Sequence, residues 1–441
     1  MKPSRFWIQA VLWVGVYVAL ILAPLGVAAM GEAPPAREFW IEFGVGLGFV
    51  GLAMMGLQFV LTARFRQIAE PFGTDILLQF HRQAGIVSYW FILGHVAVLL
   101  LADFDNLAFF DPRVNAPRAV ALVTVLIMVT LLVVLTLKRE RAGLVYEWWR
   151  LTHGIFALLA VFIGLAHILM VGYYVDTLWK QAIWVGLTLA AMGLLVHVRV
   201  VKPLLARRTP YELTAIRPEA EQIWTLDVKP VGHDGLRFKP GQFVWITFGG
   251  SPFSMEQHPF SLASSATQTD TLQLTIKELG DFTSRIGRLE AGSRLFLEGP
   301  YGAFTLDQRV GKGAMFVAGG IGITPIMSIL RTLRDSQDHR ALTLIYGGKR
   351  LPDLAFYDEI EQMKTTMNLR VIYVLEQPPE SWEGEQGYIT PALLEQVRPP
   401  SLADMEYFVC GPEPMMDLVE TTFRMWGVPL HTLHAERFNI A

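Results

Sequence analysis

Cysteine is almost absent: Cys410 is the single thiol in 441 residues. One thiol makes no internal disulfide, no four-cysteine zinc site and no cysteine-ligated iron–sulfur cluster. Any redox centre is therefore held by other side chains. Charge is also scarce, at 17% of residues against 52% hydrophobic, with a mean hydropathy of +0.37. That balance is too apolar for an ordinary soluble chain and excludes a disordered one. Lysine and arginine number 37 and the acidic residues 40, so no basic field points to nucleic acid. No calcium loop of the D-x-D-x-D-G type is present. The length suits two to four domains.

What is abundant is long apolar sequence, and it lies in the first half. A bilayer core takes about 20 apolar helical residues. Six runs reach that length: Phe6–Met30, Phe39–Thr62, Phe80–Ala102, Ala119–Leu137, Trp148–Val171 and Trp179–Val200. The first is too long, and too bare of a small-residue cleavage site, for a secretory signal, so it reads as an anchor. Cations cluster on one side of this pattern: Lys2 and Arg5, Arg64 and Arg66, Lys138, Arg139 and Arg141, then Lys202, Arg207 and Arg208. The opposite loops hold Glu32, Glu38, Asp103, Asp105, Asp111 and Asp176, with fewer cations in Arg37, Arg113 and Arg118. The positive-inside rule then predicts a multi-pass protein of the cell membrane with both termini cytoplasmic, the third and fifth helices running outward.

Ionisable groups inside a membrane are rare and usually functional. The third helix carries His81 and His95, the fifth His153 and His167, each pair fourteen positions apart. Fourteen steps of about 100° return to within roughly 40° of the starting direction and climb about 21 Å. Each pair therefore shares a face, and two such parallel helices form two rungs, His81 with His153 and His95 with His167. Imidazoles on both sides of a porphyrin iron give a b-type haem suited to electron transfer. The rival readings are core histidines bonded to neighbouring helices, or a proton relay, which wants closer groups. The ~21 Å gap excludes one shared ion. Gly85 and Gly164, one turn from a histidine, would let a flat macrocycle approach the backbone. Arg82 and Arg150 suit either inner-haem propionates or lipid phosphate. His197 has no partner at this spacing and reads as structural.

From about Tyr211 short alternating strands begin: Ile223–Val228, Phe243–Phe248, Leu272–Lys277 and Arg294–Glu298, a small antiparallel barrel. From Ala314 the pattern changes to βαβ. Strand Met315–Ala318 runs into Gly319-Gly320-Ile321-Gly322-Ile323-Thr324-Pro325 and a helix, Ile326–Arg334, with further strands at Thr343–Tyr346, Arg370–Val374 and Glu406–Val409. A strand, a glycine turn and a helix N-terminus make a pyrophosphate site. The spacing is not GxGxxG, and a simple tight turn is the alternative. The expected domains are a six-helix di-haem unit over 1–205, a barrel over 206–309 and a doubly wound α/β domain over 310–441.

Several segments carry a resemblance. His258-Pro259-Phe260-Ser261 resembles the flavin-binding HPF[ST] motif. Thr275-Ile276-Lys277 with Gly280-Asp281-Phe282-Thr283 resembles the segment that wraps the flavin pyrophosphate. Gly299-Pro300-Tyr301-Gly302 resembles the motif that closes the flavin barrel, and the Gly319–Pro325 turn the nicotinamide-dinucleotide loop. Cys410-Gly411-Pro412 resembles the CGP beside the nicotinamide, and Glu436-Arg437-Phe438 the C-terminal aromatic over the flavin ring. Together with the six helices and paired histidines, the chain resembles the NADPH oxidase / ferric reductase superfamily.

The resemblance implies a six-helix membrane bundle followed by a ferredoxin-reductase-like module, with FAD, two b-type haems and NADPH or NADH as cofactors. Ser261 is expected at the flavin N5, with the Pro259–Phe260 backbone along the ring. Lys277 and Thr283 would hold the pyrophosphate. Cys410 lies near the hydride path, and Phe438 stacks on the isoalloxazine and yields to nicotinamide. Asn439, Ile440 and Ala441 follow Phe438, where many family members end. Lys349 and Arg350 follow the second βαβ strand, where a 2′-phosphate lies in this fold, and two cations favour NADPH. An ordinary exposed basic turn is the other reading.

The expected activity is electron transfer from cytoplasmic NADPH through FAD and two haems to an outer acceptor. Dioxygen, giving superoxide, is the first reading and a ferric chelate the second. Arg113 or Arg118 in the outer loop would attract superoxide or an anionic chelate, the alternative being a solvated loop charge. Beyond these substrates and the lipid bilayer, no protein partner is required. A haem sensor, or a flavin reductase on a passive anchor, would lack one half of these parts.

Overall fold

The structure, a computed structural model, describes residues 3–31, 34–65, 73–139, 141–306 and 313–438. Lys2, Glu32, Arg66 and the tail Asn439–Ala441 fall outside these residues. The chain divides into two compact units, Ile8–Ile68 with Ile76–Val201, and the part from Lys202 onward.

Among the described residues six helices are long and apolar enough to cross a membrane. They are α1 (Pro3–Ala29), α2 (Phe39–Thr62), α3 (Thr74–Ala102), α4 (Pro112–Leu137), α5 (Tyr146–Val171) and α6 (Leu178–Val196). α4 begins earlier than its apolar run because two caps sit in series. Asp111 accepts from the Arg113 N–H, the helix breaks at Asn115 (φ −155°, ψ 94°), and the Asn115 side chain accepts from the Arg118 N–H to restart it. α5 stops at Gly172, whose φ of +66° lets its N–H close on the Ile168 carbonyl. α6 passes through a π turn (His197–Val201) into α7 (Lys202–Ala206). Large apolar side chains such as Val11, Trp90, Ile127, Trp148 and Leu178 are exposed on these helices. That outward apolar surface is what a hydrocarbon solvent stabilises.

The second unit holds two six-stranded sheets. The first is β1 (Pro210–Ala220), β2 (Ile223–Pro230), β3 (Phe243–Phe248), β4 (Gln257–Ser261), β5 (Leu272–Lys277) and β6 (Arg294–Tyr301), in the order β4-β3-β6-β1-β2-β5. Its strand pairings are antiparallel, and an isolated bridge, Leu262 to Leu274, links the two ends into a barrel. Leu213, Leu226, Val244, Leu274 and Leu295 fill its interior. β1 and β4 were not expected as strands, since Pro218 and Pro259 interrupt their alternation.

The second sheet is β7 (Gly313–Gly319), β8 (Ala341–Gly348), β9 (Leu369–Leu375), β10 (Glu385–Gln386), β11 (Met405–Cys410) and β12 (Leu433–Glu436). It is parallel in the order β10-β9-β8-β7-β11-β12. Along β7, Phe316 and Ala318 join one core with α8 (Ile323–Asp335) and α9 (Tyr357–Thr366). Met315 and Val317 join another with α10 (Pro391–Gln396) and α11 (Glu413–Trp426). Both faces are covered, so the strands read as continuous apolar runs. The strand order reverses direction between β7 and β11, the crevice where such sheets bind ligands.

Candidate functional site

In the second unit, β4 carries the His258–Ser261 motif and pairs with β3, setting Ser261 opposite Phe243 and Pro259 opposite Trp245. The His258 ring stacks on Phe282 at 4.0 Å between centroids, and Phe260 lies 6.3 Å from the same ring. The Ser261 hydroxyl is buried and has no hydrogen-bond partner among the described residues. A buried hydroxyl in that state is costly alone and suits a ligand acceptor or donor such as a flavin nitrogen. Gly302 stands where φ is +104°, and a Cβ there would lie 3.1 Å from both Glu436 Oε1 and the Phe243 ring. The barrel closure is thus pressed against β12.

The glycine turn at the switch point is equally tight. A Cβ on Gly322 would sit 2.2 Å from the Cys410 carbonyl oxygen, and one on Gly319 would sit 2.6 Å from Pro412 Cδ. Gly320, at φ +54°, meets nothing within 4 Å. Two glycines therefore let the β7 and β11 turns touch, and the third leaves backbone open beside the N-terminus of α8. Thr324 Oγ1 donates to the Ile321 carbonyl at 2.9 Å and closes this turn, and Pro325 is buried in the first turn of α8. Cys410 is fully buried and pairs in register with Glu436. The structure thus brings His258, Phe260 and Phe282 to one face of β4, with Ser261 on the other face of the same strand, and Gly302, Glu436, Cys410, Gly411, Pro412 and the Gly319–Gly322 turn to one corner.

Other expected ligands serve first as supports. The Ile276 side chain belongs to the barrel core, so only its backbone is open to a ligand. Thr283 Oγ1 accepts from the Leu279 and Gly280 amides at 2.8 and 2.9 Å, shaping the loop that presents Phe282. Lys277 ends β5 opposite Ile223. Arg437 is tied to Asp417 and Glu420 at 2.8 Å, and Phe438 beyond it is 41% exposed. Lys349 is exposed, whereas Arg350 is ion-paired with Asp353 and with Glu221. Arg350 is therefore not the open cation that the basic turn suggested.

In the membrane unit the histidines meet as two rungs. The His81 and His153 ring centroids are 6.3 Å apart, and those of His95 and His167 are also 6.3 Å apart. An imidazole centre lies about 1.1 Å from its nitrogen and a metal–imidazole bond is about 2.0–2.1 Å, so two imidazoles facing across one metal have centres about 6.3 Å apart. Three of the four rings are also oriented by a neighbour. His95 Nδ1 lies 2.9 Å from the Gly44 carbonyl, which only accepts, so the proton sits on Nδ1 and Nε2 offers a lone pair. Thr136 Oγ1 donates to the Leu132 carbonyl at 2.6 Å and faces His153 Nδ1 at 3.3 Å, which leaves the same nitrogen of His153 available. The Gln58 amide nitrogen donates to His81 Nδ1 at 2.6 Å, so that nitrogen accepts, unlike Nδ1 of His95 and His153. Among the described residues no three His, Cys, Asp or Glu converge on a metal site, so a metal on a rung would bring its own equatorial ligands.

Neither Gln58, Thr136 nor the α2 glycines were singled out in the sequence, because nothing local says which helix lies beside which histidine. A Cβ on Gly48 would lie 2.7 Å from His95 Nδ1. Gly85 meets nothing within 4 Å, whereas Gly164 is packed on Leu52 at 2.8 Å. The reading of Gly164 as a macrocycle contact is corrected: its missing side chain admits α2. Arg82 is exposed, and Arg150 lies 5.7 Å from the Tyr146 ring. His197 stacks on Phe65 at 6.5 Å. In the loop before α4, the Arg118 guanidinium covers Phe109 at 4.3 Å and donates to the Ala108 carbonyl, while Arg113 is exposed.

A bundle of membrane helices joined to a flavin barrel and a nicotinamide-type α/β domain defines a membrane oxidoreductase. Residues 47–164 match the ferric reductase like transmembrane component, 222–305 an FAD-binding domain and 316–421 the oxidoreductase NAD-binding domain. That order along one chain is the architecture of the NADPH oxidase / ferric reductase family, and the chain belongs to it. Part of the chain is similar to the reductase component of propane 2-monooxygenase from Mycolicibacterium smegmatis, 30% identical over 47% of this chain and 60% of that protein. It is also similar to NADH-cytochrome b5 reductase 1 from Candida glabrata, 30% identical over 43% of this chain and 68% of that protein. The chain spans 60% of the length of the first of these relatives. Among solved structures, the ferredoxin reductase in carbazole 1,9a-dioxygenase aligns at a TM-score of 0.45 and 24% identity, over 52% of this chain and 69% of that one.

Proposed function

We propose that this membrane-bound, NAD(P)H-driven flavin reductase carries electrons through two b-type haems to an acceptor across the bilayer, with dioxygen as that acceptor and superoxide as product. The single observation that carries this reading is the pair of histidine rungs, each with ring centroids 6.3 Å apart. When bound, FAD takes a hydride and releases single electrons, and bis-imidazole haems pass them one at a time. The chain's own residues supply position. Ser261 offers its hydroxyl to the flavin. The Gly319–Gly322 turn receives pyrophosphate, and Cys410 and Glu436 line the corner where the two lobes meet. His81 with His153 would hold the inner haem and His95 with His167 the outer one, with both chain termini on the cytoplasmic side.

Absorbance spectra of the purified protein, oxidised and reduced, test the ligand assignment. His81→Ala and His95→Ala are each expected to remove one haem while FAD remains bound. Two haems retained in both variants would overturn it. The acceptor is tested separately. NAD(P)H-dependent superoxide that stops without oxygen, with little ferric-chelate reduction in anaerobic samples, supports an oxidase. The reverse pattern selects a ferric-chelate reductase, the reading that the ferric reductase like match favours.

A further inference from the structure

Resting on the reading that the parallel sheet binds a nicotinamide dinucleotide, we propose that this dinucleotide is NADH rather than NADPH, and that Glu221 and Asp353 enforce the choice by occupying Arg350. In doubly wound folds a carboxylate shortly after the glycine turn bonds the ribose 2′-hydroxyl of NAD, whereas an arginine accommodates the 2′-phosphate of NADP. Here β8 lies parallel to β7 with Gly347 beside Gly319, so its end reaches the level of the glycine turn. Lys349, Arg350 and Asp353 follow it directly.

Arg350 does not present its fork. Nε donates to Asp353 Oδ2 at 3.1 Å and Nη2 donates to Asp353 Oδ1 at 2.8 Å, so one carboxylate takes a whole edge of the guanidinium. Nη2 also donates to Glu221 Oε2 at 2.5 Å. A bidentate hold on phosphate needs such an edge. The two cations of the turn are balanced by two carboxylates, and an incoming dianion meets no net positive charge. A ribose hydroxyl needs none, because it donates to a carboxylate.

The position of Glu221 is set by backbone. It lies in the turn between β1 and β2, and its N–H bonds the Pro352 carbonyl at 3.4 Å, holding the barrel turn against the one-turn helix Leu351–Asp353. Nearby, Glu219 Oε1 accepts from the Phe356 N–H at 3.2 Å, a second tie between the same segments. Exposed ion pairs contribute little stability by themselves. Their effect here is on which anion is admitted, which is a difference between two affinities.

The test uses the full chain, FAD-loaded in detergent, with anaerobic flavin reduction followed in the flavin absorbance band under NADH or NADPH. Calorimetric binding of 5′-AMP and 2′,5′-ADP gives a readout independent of turnover. The wild type is expected to show kcat/KM for NADH about tenfold or more above that for NADPH, and no tighter binding of 2′,5′-ADP than of 5′-AMP. The double variant Glu221→Gln, Asp353→Asn is expected to raise kcat/KM for NADPH by about tenfold, chiefly through KM, and adding Arg350→Gln should cancel the gain. FAD content of each variant reports its fold. A wild type that prefers NADPH, or a double variant with an unchanged ratio, overturns the proposal. Flavin that stays oxidised with both dinucleotides would instead overturn the underlying dinucleotide site.

Discussion

The histidines show what a single residue can and cannot announce. Their type and spacing were legible, because imidazole is rare in a bilayer and fourteen positions return a helix to the same face. Their orientation was not, because it comes from atoms on other helices: the Gly44 carbonyl and Thr136. Thr136 accepts the proton of His153 Nδ1, which makes that imidazole a stronger donor to whatever Nε2 holds. Thr136→Val removes the acceptor at nearly constant volume. If the His81–His153 rung holds a haem as proposed, that haem should then shift to a higher midpoint potential, because a weaker donor favours ferrous iron, and should be held about tenfold or more less tightly. Thr136→Ser should restore both. Potentiometric titration of the two haems, with haem loss into apomyoglobin, measures the effect, and an unchanged inner haem would show that the hydroxyl only packs.

At the level of elements, long segments were readable and their neighbours were not. The apolar run Phe39–Thr62 matches α2 from end to end, yet nothing in the sequence marked its glycines. In the folded bundle Gly44, Gly48 and Gly51 form the stripe by which α2 presses on α3: a Cβ at Gly44 meets Leu99, one at Gly48 meets His95, and Gly51 gives its carbonyl to Ser88 at 2.8 Å. Small residues at this spacing allow helices to approach closely in lipid. Gly48→Val is therefore expected to push α2 from His95 and, on the proposed two-haem reading, to lose the haem of the His95–His167 rung while the other stays, as read in the reduced absorbance bands. The same logic applies to the dinucleotide turn, whose function was legible from strand, glycines and helix although its contact with β11 was not. Gly322→Ala puts a methyl on the Cys410 carbonyl, so KM for the dinucleotide should rise about tenfold or more while FAD binding persists. Stopped-flow flavin reduction separates those two effects.

For the molecule as a whole, motif order along the chain identified both lobes of the second unit, but one of the contacts that join them is carried by an arginine that no motif marks. Arg331 on α8 donates through Nη1 to the Ala263 carbonyl and Gln273 Oε1 of the barrel, both at 2.8 Å, and through Nε and Nη2 to Glu359 on α9. Ser328 donates to the Ser264 carbonyl at 2.7 Å, and the Ala266 N–H donates to Thr332, so one face of α8 seals the joint. Burial alone would raise the Glu359 carboxyl, but the Arg331 and Arg334 guanidiniums outweigh it and hold the group below the ordinary carboxylate range. A carboxyl lowered on folding adds stability that is present above its unfolded pKa and is lost as pH falls through the folded one. The joint should therefore be pH-independent near neutrality and loosen below about pH 4.5, first seen as release of FAD fluorescence before the helices unfold. Glu359→Gln should remove that acid step. Arg331→Met leaves the partly buried Glu359 carboxylate facing Arg334 alone and uncovers the barrel acceptors, which destabilises the joint. It should lower the temperature of FAD release at neutral pH without changing the haem spectrum. If FAD release moves with acid equally in the wild type and in Glu359→Gln, the pair does not govern the joint.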